Sequence, residues 1–145
     1  MKPVYSALIL VLALSASSRA ADLTVVVEGL RSETGIVRVA LFDAERGFPM
    51  DASRAVALQK LDLPLIPAPG PRAVVFRNLP AKTYAVSVFH DEDSDGKLKT
   101  NWLGIPREGI GASRNAKGRM GPPRFSAAAF LLTGNDRIVV SIVYL

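Results

Sequence analysis

From residue 23 onward the chain alternates short apolar runs with polar, glycine- or proline-marked breaks. LTVVVEGL (23–30) and GIVRVALFD (35–43) are rich in β-branched residues and are joined by the turn-prone RSET. In the second run Val37, Val39 and Leu41 alternate with Ile36, Arg38, Ala40 and Phe42, which is the period of a strand. ERGFPMDASRAV (45–56) has room for a helical turn, AVALQKLDL (55–63) reads as a strand, and PLIPAPGPR (64–72) as a proline-punctuated loop. PRAVVFRNLP (71–80) and KTYAVSVFH (82–90) predict two strands whose spacing suits a hairpin. FSAAAFLLTG (125–134) and DRIVVSIVYL (136–145) predict a second hairpin through Gly134-Asn135-Asp136. The alanines at 127–129 favour helix by propensity, but the short run and the close turn favour strand. Between the two pairs lies one long polar, glycine-rich loop, 91–124. About seven strands and no long helix predict an all-β antiparallel sandwich rather than alternating strands and helices.

Composition changes this picture at the N-terminus. MKPVYSALILVLALSASSRA carries Lys2, an apolar run over 7–16 and a small-residue exit, the layout of a signal peptide cleaved after about Ala20. About ten apolar residues are too few for a membrane span, which needs roughly twenty. The expected organisation is therefore a signal peptide over 1–20 and one sandwich domain over 21–145, periplasmic or secreted, with no transmembrane segment in the mature chain. The chain has no cysteine, which excludes disulfide scaffolding, thiolate metal sites and cysteine nucleophiles. Removing Lys2 and Arg19 with the leader leaves sixteen basic against thirteen acidic residues. Seven of those basic residues fall between Lys97 and Arg124, where Glu108 is the one acid. Such a segment attracts anions or an acidic envelope surface, or simply keeps a loop solvated. Export argues against nucleic acid as the partner and leaves a small ligand or an envelope protein.

The chemistry that the pattern offers is concentrated in HDEDSDGKLKTNW (90–102). Asp91, Asp93, Asp95 and Gly96 match positions one, three, five and six of a calcium-binding EF-hand loop, where alternate carboxylates turn inward around a hard cation. Lys99 and Trp102 then occupy positions nine and twelve, so the bidentate glutamate is missing and an EF-hand is excluded. A calcium site of another kind stays open, with Glu108 or Asn115 folding back to add oxygens. The alternative is a polar turn in which Lys97, Lys99 and later arginines relieve the repulsion among the carboxylates.

His90, the one histidine, shares a strand face with Tyr84, Val86 and Val88 and is expected to anchor the loop through a hydrogen bond. The expected function is non-enzymatic binding of a ligand or partner through 91–124. The alternatives are a hydrolase, with His90 and Asp91 acting beside a loop serine such as Ser113 or a glutamate such as Glu108, and an inert structural envelope protein. No G-x-S-x-G elbow surrounds any serine, and the carboxylate spacing does not argue for a glycosidase. Trp102 is expected to be buried as a loop anchor, since large aromatics are mostly buried.

Three blocks together carry a resemblance: LTVVVEGLRSETGIVRVALFD, FRNLPAKTYAVSVFHDEDSDGKLKTNWLGIPREGIGASRNA and GPPRFSAAAF. The chain resembles a family of small exported bacterial proteins, domain of unknown function 2141, over nearly all of its mature length. The resemblance implies an exported β-sandwich, either transthyretin-like (prealbumin-like) or immunoglobulin-like, and brings no activity with it. The family usually has glycine before Tyr84, where this chain has Ala81-Lys82-Thr83.

Overall fold

The β-branched runs become strands that bury one face each. A computed structural model describes residues 19–63 and 72–145. The leader expected over 1–20 and the proline loop expected over 64–72 lie almost wholly outside the described residues. Eight strands form among the described residues: β1 (Ala21–Glu28), β2 (Ile36–Phe42), β3 (Ala57–Asp62), β4 (Ala73–Leu79), β5 (Lys82–Asp91), β6 (Gly109–Ala112), β7 (Phe130–Leu132) and β8 (Asp136–Ser141). One sheet has the order β4-β1-β8 and the other β3-β2-β5-β6, with β7 also pairing β5. The all-β sandwich is thus the observed architecture. Leu23, Val25 and Val27 of β1 meet Val37, Val39, Leu41, Tyr84, Val86 and Val88 of the facing sheet in one buried cluster.

Several expectations need correction. Neither expected hairpin forms. β4 pairs β1 while β5 pairs β2, and β7 pairs β5 while β8 pairs β1, so each short link crosses between the sheets. Alternation shows which face of a strand is apolar, but an arch and a hairpin satisfy it equally. The β1–β8 ladder is parallel, with Leu23 beside Asp136 and Glu28 beside Ser141, so the sandwich is not wholly antiparallel. Finally, the alanine-rich run splits into α1 (Phe125–Ala128), a single helical turn, and β7. Ala128 packs on Ala85 and Ala112, and these small side chains leave space for a turn of helix against the sheet.

The long loop is not one loop. β6 crosses it and pairs β5 with Ser87 beside Ala112 and His90 beside Gly109. Ile110 also bridges to Val143 beyond β8, which ties the two sheets together at this edge.

Candidate functional site

β5 delivers His90 and Asp91 to one end of the sandwich, and both are completely buried. His90 lies on the inner face with Tyr84, Val86 and Val88, as its spacing predicts. Its Nε2 lies 2.7 Å from the Thr34 carbonyl oxygen, which can only accept, so Nε2 carries the proton. In the neutral ring Nδ1 then accepts from the Tyr144 hydroxyl at 2.6 Å, and that hydroxyl in turn accepts the Arg31 backbone N–H at 3.2 Å. Both ring nitrogens are therefore engaged. The anchor holds the β1–β2 turn and the C-terminus, not the 91–124 segment.

Asp91 is a brace for the acidic turn. Its Oδ1 accepts the Asp95 N–H at 3.1 Å, and its Oδ2 accepts the Gly96 N–H at 2.9 Å and the Arg38 Nε–H at 2.7 Å. Arg38 reaches it diagonally, because Arg38 of β2 stands beside Phe89 and Ile36 beside Asp91. Glu108, also buried, closes the turn from the other side: its two oxygens accept the Glu92 and Lys99 N–H groups, each at 3.0 Å. Two carboxylates thus satisfy four backbone donors of a turn that has no ladder of its own.

The three aspartates converge, with one carboxylate oxygen from each of Asp91, Asp93 and Asp95 within 4.8 Å of the others. The donor set fits a hard cation only in part. Asp91 is committed to Arg38 and two backbone donors, Asp95 accepts the Lys97 N–H at 2.8 Å, and Asp93 is paired with the Lys99 ammonium. Lys99, at the position where an EF-hand would offer another oxygen, places a cation of its own beside the cluster. Asn115 is not part of the cluster; its Oδ1 accepts the Ser141 N–H at 2.9 Å.

Ser113 does not meet His90. Its hydroxyl accepts the Val86 N–H at 2.9 Å and donates to the Ala128 carbonyl at 2.6 Å, while Val86 precedes His90 by four strand positions, roughly 13 Å. Ser113 is therefore not assembled with His90 and Asp91. Glu108, with both oxygens on backbone donors, is likewise held by the turn it closes.

Arg31 was not singled out by its position in the sequence, yet it organises the outer rim. Its guanidinium binds Glu92 and lies over the Tyr144 ring at 4.3 Å. An open cleft of about 240 Å³ is lined by Arg31, Glu92, Asp93, Lys99, Arg107 and Glu108. The alternation of Val140, Ile142 and Tyr144 was the available signal for Tyr144; no local signal marked Arg31 or Arg38. The hydrogen bond from Arg31, aided by Ser32, holds the Glu92 carboxyl below its ordinary value of 4.5. A depressed folded value means that this pair stabilises the fold above the ordinary value and is lost as pH falls through the depressed one. Glu92→Gln is expected to be less stable than the wild type at neutral pH and to show a flatter loss of stability below about pH 4.5, read from urea unfolding across pH.

Trp102 is the clearest departure from the sequence expectation. It is 90 % exposed, and Leu103 beside it is 61 % exposed. The loop is anchored instead by the buried carboxylates of Asp91 and Glu108, which leaves the tryptophan free at its tip.

The family model described as an uncharacterised protein conserved in bacteria, DUF2141, matches residues 25–139. No curated protein and no solved structure matches the chain.

Proposed function

We propose that this chain, which belongs to the DUF2141 family of bacterial proteins, is a non-enzymatic, exported binding module that works through residues 91–124. One observation carries the reading. The buried polar groups His90, Asp91, Glu108 and Ser113 all spend their hydrogen bonds inside the fold, on backbone groups and on the Tyr144 and Arg38 side chains. What the tip of the segment offers outward is apolar and cationic, Trp102 and Leu103 with Lys97 and Arg107 near them, while the exposed carboxylates of Asp93 and Asp95 stand on the turn before it. A base or nucleophile needs a free lone pair in reach of substrate, whereas a docking surface needs a fixed shape.

The binding reading is tested by placing a photo-reactive residue at position 102 and, separately, at Leu58, which is 60 % exposed on β3. Irradiation in the bacterial envelope is expected to give adducts from position 102 and few from position 58. Equal yields, or none from 102, would sink it.

A calcium ion at Asp91, Asp93 and Asp95 is the second reading, favoured by the approach of their oxygens within 4.8 Å. Arg38 and Lys99 already supply the compensating charge, so the turn is expected to need no metal. Millimolar calcium should then give no titration heat and leave the melting temperature where chelator leaves it. A rise with calcium that Asp93→Ala abolishes would establish the metal site instead.

A further inference from the structure

We propose that the hairpin at 100–106 is a membrane-docking tip that seats Trp102 and Leu103 in the interface of an anionic lipid bilayer. This rests on the reading of 91–124 as a binding surface and names its partner. The first support is the backbone of the tip. Thr100 bridges to Pro106, the Asn101 N–H bonds the Ile105 carbonyl at 2.8 Å, and the Gly104 N–H bonds the Asn101 carbonyl at 3.0 Å. The Asn101 side-chain oxygen accepts the Leu103 and Ile105 N–H groups at 2.9 and 3.0 Å. Donors at 101, 103, 104 and 105 are thus satisfied inside the hairpin, and the Trp102 N–H, which has no partner there, meets headgroups and water at interfacial depth rather than hydrocarbon. The same bonds keep the apolar side chains pointing outward instead of letting them collapse onto the sandwich.

The second support is charge. Lys97 and Arg107 flank the tip, both are exposed, and neither forms an ion pair among the described residues. Of the nearby acids, Glu108 is buried with both oxygens on backbone donors and Asp93 is paired with Lys99, which leaves Asp95, on the turn before Lys97, as the exposed carboxylate the two cations outnumber. An exposed tryptophan between free cations suits the headgroup layer, where aromatic rings and basic side chains are both favoured. A second copy of the chain fits less well. It would bring the same cations face to face, and the side chains of one hairpin tip fall short of the roughly 800 Å² per partner of a stable protein interface.

Trp102 is the only tryptophan, so its fluorescence reports on the tip whatever the N-terminus contributes. Protein recovered after export should be mixed with vesicles of phosphatidylglycerol and phosphatidylcholine, and with vesicles of phosphatidylcholine alone. The expected result is a blue-shifted emission and co-sedimentation with the anionic vesicles, both weakened by salt at about 0.5 M. Trp102→Ser with Leu103→Ser should lose roughly tenfold or more in partitioning, and Lys97→Glu with Arg107→Glu a comparable amount, with unchanged circular dichroism. Unshifted emission, or sedimentation that these variants leave intact, overturns the proposal. If vesicles fail but position 102 cross-links to a protein or to a second copy, the lipid partner is wrong and the binding reading stands. If both fail, both fall.

Discussion

Gly35→Ala is expected to destabilise the fold by about 3–5 kcal/mol, through left-handed strain and steric overlap together. Gly35 opens β2 with φ of +82°, a region that costs an L side chain free energy. A methyl group there would also overlap the Asp91 carbonyl oxygen and lie 2.7 Å from the Glu92 Cα. Both obstacles are backbone atoms of the strand end, so no rotamer change relieves them. Gly104→Ala is the control, because φ is +77° there but nothing lies within 4 Å. It should cost about 1 kcal/mol, the conformational part alone. Urea unfolding of the two variants separates strain from overlap; equal losses would mean that the close approach of Gly35 to Asp91 is not rigid.

Asp91→Ala is the second large effect, expected at about 3 kcal/mol, or a fall of roughly 10 °C in melting temperature. The substitution removes the acceptor for the Asp95 and Gly96 N–H groups and the partner of Arg38 at once. The carboxylate is fully buried, but the Arg38 side chain is 34 % exposed, so water rescues part of the arginine's lost interaction and the cost stays at the lower end for a buried pair. Asp91→Asn keeps an acceptor and should lie between the two. Hydrogen exchange should show the damage over residues 92–99, the turn that Asp91 and Glu108 hold, while β1 and β8 keep their protection until global unfolding. Uniform loss across the sandwich would mean that the turn and the core unfold as one unit.

The same geometry explains why an EF-hand-like opening does not require calcium here. The first aspartate of the pattern does what such a residue does in any tight loop, accepting the N–H groups that follow it. Arg38 and the Lys99 ammonium then supply the positive charge from within the chain.

The sequence by itself determined that the chain forms strands, where most of them run, and that His90 faces the core with Tyr84, Val86 and Val88. These are local properties: side-chain period and turn residues decide them before any contact is made. It also marked 90–102 as the place where polar chemistry gathers. Only the tertiary structure decided which strands pair, because a strand with one apolar face can meet that demand in a hairpin, in an arch between sheets or in the parallel ladder of β1 and β8. It likewise decided the fate of each polar group. Arg38 reaches Asp91 from 53 positions away, Tyr144 reaches His90 from 54, and Glu108 spans back to Glu92. Because these partners satisfy the turn from within, Trp102 is not needed as an anchor and stands in solvent, where sequence alone would have buried it.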